Sequence, residues 1–100
     1  MAFDYQSFKN EFPYFKSPNA VVYLDNAATA LKPQALIDAT STFYQSAGSV
    51  HRSQYEAAQT AQYENARHLV KTLINAEDEK AVIWTSGTTH SINLVANGLL

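Results

Sequence analysis

The sequence predicts an α/β chain that is mostly helical, with two short strands. Two observations carry that reading. Val21-Val22-Tyr23-Leu24 and Ala81-Val82-Ile83-Trp84 are short runs of β-branched and aromatic residues, and the second is apolar throughout, as a buried parallel strand is. Elsewhere apolar residues recur three and four apart, and the last such stretch follows the second run directly through Thr85-Ser86-Gly87.

The elements follow in chain order. Asp4 is placed to cap a short helix carrying Phe8 and Phe12 four apart, and Pro13 stops it. Ser17-Pro18-Asn19 reads as a turn ahead of the first strand, 21–24. Asp25-Asn26-Ala27-Ala28-Thr29-Ala30 has small side chains and no period. Pro33 suits the first position of a helix, since its missing N–H needs no partner there, and Leu36, Ala39, Thr40 and Phe43 line one face of residues 33–44. Ser46-Ala47-Gly48-Ser49 ends that helix. After Val50-His51-Arg52-Ser53, a long helix is predicted over 54–74. Its stripe of Tyr63, Ala66, Leu69, Val70, Leu73 and Ile74 reads as core, with Glu64, Arg67, His68 and Lys71 on the polar side. Asn75 and Glu77-Asp78-Glu79 form a turn into the second strand, 81–84. Ile92, Val95, Ala96 and Leu99 then mark a closing helix. No repeat is present, and no linker divides the chain.

Composition narrows the function classes. One hundred residues, 46% hydrophobic and 16% charged with three glycines and three prolines, exclude a disordered, collagen-like or low-complexity chain. No apolar run approaches the roughly 20 residues of a membrane span. The first residues show no basic stretch followed by an apolar one, so a cytoplasmic location is expected. A formal charge of -2 without basic clusters speaks against nucleic acid or an anionic membrane as partner. The absence of cysteine removes disulfides and thiol chemistry within these residues, and His51, His68 and His90 match no metal-ligand spacing.

The segment richest in chemistry is Trp84-Thr85-Ser86-Gly87-Thr88-Thr89-His90. A glycine turn feeding a helix N-terminus gathers unpaired backbone N–H groups and the positive end of the helix dipole, and two threonine hydroxyls stand beside it. Two readings stand at this point: a phosphate cradle, or a threonine that merely caps the helix. It is not a P-loop, because the Gly-Lys-Ser/Thr element is missing.

Three motifs in order now carry a resemblance: Tyr23-Leu24-Asp25-Asn26-Ala27-Ala28-Thr29-Ala30 with Lys32-Pro33, Ser49-Val50-His51-Arg52-Ser53, and Gly87-Thr88-Thr89 with Ile92-Asn93-Leu94-Val95-Ala96. Together they resemble the N-terminal quarter of group II cysteine desulfurases in the class V aminotransferase family. The resemblance implies the N-terminal part of the large domain of a fold type I enzyme, incomplete over residues 1–100. It implies pyridoxal 5'-phosphate as cofactor, a homodimer, conversion of L-cysteine to L-alanine, and delivery of the sulfur to an acceptor protein for iron–sulfur cluster assembly or a related supply. By position, Gly87, Thr88 and Thr89 would bind the cofactor phosphate. Ala27 and Ala28 would leave room for the amino-acid substrate, and His51 and Arg52 would reach the mouth of the site.

Two positions depart from the pattern: His90 stands where the family commonly has Glu, and Ser86 where group II members often have Arg. The Schiff-base lysine, the aspartate facing the pyridine nitrogen, the stacking histidine and the nucleophilic cysteine of the family match nothing here, and Lys32 and Lys80 lack the right context. Two readings compete with a desulfurase: another pyridoxal phosphate lyase or aminotransferase of the family, acting on selenocysteine or cysteine sulfinate, and a non-enzymatic helical module docking through Phe8, Phe12, Phe43 and Tyr44. The 100-residue chain alone is expected to release neither alanine nor sulfide from L-cysteine with added pyridoxal phosphate. Sustained alanine production by that chain in an amino-acid assay would contradict the assignment of the catalytic groups to residues beyond it.

Overall fold

The computed structural model describes residues 2–48, 50–51 and 57–99. They form four α-helices, α1 (Tyr5–Asn10), α2 (Gln34–Gln45), α3 (Ala57–Leu73) and α4 (Thr88–Leu99), with 3₁₀ turns at Pro13–Lys16 and Glu79–Ala81. The chain separates into two compact units, Met1–Gly48 and Ser49–Leu100.

In the first unit, α1 starts where Asp4 predicts. The Asp4 carboxylate accepts from the N–H groups of Gln6 and Ser7, both at 3.1 Å, and from the Ser7 hydroxyl at 2.6 Å. These bonds, the Ser7 hydroxyl foremost, hold the Asp4 carboxyl below its ordinary pKa. The helix-spaced Phe8 and Phe12 rings meet edge-on at 5.3 Å, with Phe3 on the other side of Phe8 at the same distance. Helix α2 begins one residue later than predicted, with Pro33 in extended conformation ahead of it. Pro33 lacks a side chain that can cap, and the Gln34 N–H instead donates to the Glu11 carbonyl at 2.8 Å, which ties α2 to the end of α1.

In the second unit, the described part of the long predicted helix is α3. It ends at Leu73 in a Schellman arrangement: Asn75 takes a φ of 55°, the Ala76 N–H donates to the Lys71 carbonyl at 3.0 Å, and the Asn75 N–H to the Thr72 carbonyl at 3.3 Å. Asparagine tolerates that left-handed position better than most residues, so Asn75 stops the helix as well as forming the turn. Residues 54–56 of the predicted helix lie outside the described residues.

Two expectations are corrected. No strand is present among the described residues. A strand exists only through ladder hydrogen bonds to a neighbour. Neither 21–24 nor 81–84 has one among the described residues, so Val22 is 82% exposed and Leu24 91%, while Ala81 is drawn into a 3₁₀ turn. The α3 stripe is not a core either, since Leu69, Leu73 and Ile74 are 60% exposed or more. On the predicted polar side, Glu64, Arg67 and Lys71 are half-buried. The side of α3 that meets the rest of its unit is held by polar bonds, and Val82 is the one buried apolar residue described.

One of those bonds joins α3 to the 3₁₀ turn through His68 Nδ1 and Glu79 Oε1 at 2.6 Å. The hydrogen bond from His68 holds the Glu79 carboxyl below its ordinary pKa. A lowered carboxylate stabilises the fold above its unfolded pKa, and this contribution disappears as pH falls through the lowered folded value. In an NMR titration the Glu79 carboxyl should have its midpoint below 4.5, and His68→Ala should move it up toward that ordinary value.

Candidate functional site

The turn at the head of α4 is built by side chains on both sides of Gly87. Thr85 Oγ1 donates to the Gly87 carbonyl at 3.2 Å and lies 2.7 Å from Ser91 Oγ. A hydroxyl carries one proton, so with the Thr85 proton given to Gly87 it is Ser91 that donates to Thr85. The Ser91 N–H donates to the same Gly87 carbonyl at 3.0 Å. Alongside, the Ser86 N–H donates to His90 Nδ1 at 3.2 Å, and Ser86 Oγ lies at the same distance from that nitrogen. Gly87 has a φ of 156°, and a Cβ built there would meet nothing within 4 Å, so one side of the turn is open space.

Thr88 and Thr89 occupy the first two positions of α4. Both therefore lie inside the helix, and neither is its cap residue. Their N–H groups belong to the first turn and have no acceptor within the helix, and their hydroxyls have no hydrogen-bond partner among the described residues. The predicted phosphate residues Gly87, Thr88 and Thr89 thus form one exposed group of donors at the positive end of a helix.

His51 belongs to the same unit and is fastened to α3 three times. Its N–H donates to Thr60 Oγ1 at 2.9 Å, its Nε2 lies 3.1 Å from Glu64 Oε1, and its ring meets Tyr63 edge-on at 5.3 Å. These contacts sustain a left-handed backbone, φ 63°, that non-glycine residues take up rarely and histidine more readily than most. Glu64 in turn pairs through Oε2 with Arg67 at 3.0 Å. The Arg67 guanidinium donates from Nε to the Val82 carbonyl at 3.0 Å and from Nη2 to the Glu79 carbonyl at 2.8 Å. A continuous polar chain therefore runs from His51 to Val82, three residues before Thr85. Arg52 lies outside the described residues.

Ala27 and Ala28 belong to the first unit. They sit in a turn closed by the Ala28 N–H donating to the Asp25 carbonyl at 3.0 Å. The Tyr23 hydroxyl spans the same turn, between the carbonyls of Asp25 and Thr29. Both alanines are exposed.

In the sequence Glu64 and Arg67 read only as the polar side of a helix and Tyr23 only as part of a strand and a motif, none of them as a site residue. The Glu64-x-x-Arg67 spacing was a visible signal of an ion pair, since residues three apart share a helix face. Nothing local marked the backbone carbonyls that Arg67 reaches 12 and 15 residues on. Among the described residues no cluster of metal-ligating side chains occurs, and no helix is long and apolar enough to cross a membrane.

With the helices, the Gly87 turn and the braced His51 in place, comparison with known proteins gives the family. The class-V aminotransferase family profile matches residues 22–100, and the chain belongs to that family. It is 71% identical over 92 residues to a probable cysteine desulfurase of Haemophilus influenzae, covering 92% of this chain and 21% of the relative. To a probable cysteine desulfurase of Pasteurella multocida it is 66% identical over 99 residues, covering 99% of this chain and 24% of that one. To the cysteine desulfurase CsdA of Escherichia coli it is 55% identical over 97 residues, or 94% of this chain and 24% of the relative. The chain spans between a fifth and a quarter of the length of these curated relatives. No solved structure matches it significantly.

Removing the Arg67 fork should loosen the second unit. Arg67→Met in the full-length protein leaves the Val82 carbonyl without its Arg67 donor and takes one of two partners from both the Glu79 carbonyl and the Glu64 carboxylate, for a loss of about 2 kcal/mol in denaturant unfolding. Arg67→Lys should recover less than half of it, because an ammonium cannot reproduce the planar fork.

Proposed function

We propose that this chain is the N-terminal part of a pyridoxal phosphate-dependent cysteine desulfurase, which converts L-cysteine to L-alanine and passes the sulfur to an acceptor. The observation that carries the reading is the Gly87-Thr88-Thr89 turn, an exposed set of donors at a helix N-terminus with no partner among the described residues, in a chain of the class V aminotransferase family. Relatives named as cysteine desulfurases at 55–71% identity over nearly the whole chain support the particular activity.

The residues fit a phosphate monoester. A dianion at the head of α4 would take the N–H groups and hydroxyls of Thr88 and Thr89, where the helix dipole favours negative charge. The open side of Gly87 lets its oxygens approach the backbone. Pyridoxal phosphate, when bound, supplies the electron sink for the chemistry at the amino acid. This chain's own residues anchor and orient. Thr85, Ser91 and His90 fix the turn, so the donors are in place before the ligand arrives and little is lost in ordering them.

His51 is assigned to the substrate side. Its Nε2 is engaged by Glu64, while Nδ1 has no hydrogen-bond partner among the described residues, so Nδ1 is the nitrogen available to a substrate or to a proton in transit. Arg52, next in sequence, would supply a cation for the substrate carboxylate. Ala27 and Ala28, with single methyl groups in a cinched turn, would leave space for the amino acid. A homodimer is part of the proposal, with the remaining three-quarters of the enzyme covering the exposed faces of α3 and α4.

The test is alanine and sulfide release from L-cysteine by the full-length protein with pyridoxal phosphate and a thiol reductant. Turnover of L-cysteine ahead of selenocysteine and cysteine sulfinate supports the reading. Preferential turnover of either of those assigns the protein to another branch of the family. Thr88→Val with Thr89→Val should weaken cofactor binding at least tenfold, measured by absorbance on titration with pyridoxal phosphate, through loss of two charge-assisted hydrogen bonds.

A further inference from the structure

We propose that His90 is a positioning residue for the cofactor phosphate: its imidazole, through Nδ1, fastens the strand of backbone that enters the phosphate turn and so sets the aim of the donors on Gly87, Thr88 and Thr89. The inference rests on the reading of that turn as the phosphate site. His90 sits on the first turn of α4, four residues after Ser86, and its Nδ1 accepts the Ser86 N–H at 3.2 Å, with the Ser86 hydroxyl equally close.

A backbone N–H always donates, so the nitrogen it meets carries no proton, and the proton of the neutral ring lies on Nε2. The arrangement is a variant of the capping box, in which a side chain on the first helical turn reaches back to a backbone N–H ahead of the helix. It has two effects. It satisfies a donor that precedes the helix, and it fixes the direction in which the chain arrives at Gly87. The second effect matters because Gly87 itself has nothing within 4 Å of where a side chain would begin, so no packing holds it. Thr85 and Ser91 brace the carbonyl side of Gly87, and His90 braces the N–H side of Ser86. His90 is exposed and touches the turn through its ring nitrogen, so its contribution is one of aim. A neutral acceptor also does this without placing a negative charge beside a bound dianion.

The experiment compares pyridoxal phosphate with pyridoxal, which lacks the phosphate, by absorbance titration of the full-length protein and its variants. His90→Ala should weaken pyridoxal phosphate about tenfold and pyridoxal less than twofold. His90→Gln, whose Oε1 is again a neutral acceptor, should return pyridoxal phosphate to within about twofold of the unaltered protein. His90→Leu keeps the bulk without the acceptor and takes the place of His90→Ala if that variant folds poorly. Amide exchange at Ser86 should quicken in the Ala or Leu variant and slow again in the Gln variant. Unchanged pyridoxal phosphate affinity in both Ala and Leu variants overturns the proposal, as does equal loss for both ligands, or a Gln variant no better than Ala. If the Thr88 and Thr89 variants also leave the affinity unchanged, the phosphate site itself lies elsewhere. If those weaken binding and His90 variants do not, the site stands and only the role of His90 falls.

Discussion

The second unit depends on the guanidinium of Arg67. Val82 is the one buried apolar side chain described there, and fully burying one such side chain contributes only about 1.5–3 kcal/mol. Ordering a single residue's backbone already costs about 1–2 kcal/mol, so something directional must define where the 3₁₀ turn lies against α3. Arg67 does so by addressing two main-chain carbonyls and a carboxylate at once. Because it binds main chain, it fixes the path of residues 79–82 whatever side chains they carry. Because its remaining edge pairs with Glu64, the same group determines where His51 is held.

The head of α4 follows a similar logic on a smaller scale. Thr85, Ser86, His90 and Ser91 use their polar atoms on one another and on the main chain, while the hydroxyls of Thr88 and Thr89 between them have no partner among the described residues. The residues that make the shape and those that would meet the ligand are interleaved in sequence yet distinct in role. A helix start whose own side chains consumed every donor would be more stable by itself and would have nothing to offer an anion.

Much of this was legible in the sequence. Asp4 as a cap, Pro13 as a stop, the turn at Ser17, and the helices on either side of His51 each announce themselves by local chemistry. The glycine turn feeding a helix at Gly87-Thr88-Thr89 was visible because glycine, hydroxyls and a helix start lie within a few residues. The strands were misjudged for a reason that no local pattern carries. Val21 to Leu24 and Ala81 to Trp84 have strand composition, but pairing is a property of two segments, and among the described residues neither has its second. The α3 stripe failed in the same way, since periodicity says which side chains share a face and not whether anything covers it. Arg67 escaped notice because its acceptors are carbonyls, which every residue has.

The Tyr23 hydroxyl, set between the carbonyls of Asp25 and Thr29, separates shape from surface in the alanine turn. The loop is closed by main-chain N–H groups donating to the Asp25 carbonyl and by a phenol outside it, so the two methyl groups at its crest take no part in closing it. Side chains there can change in size without a folding penalty of the usual kind. In a turn of that construction the path of the main chain and the chemistry of its surface can vary independently.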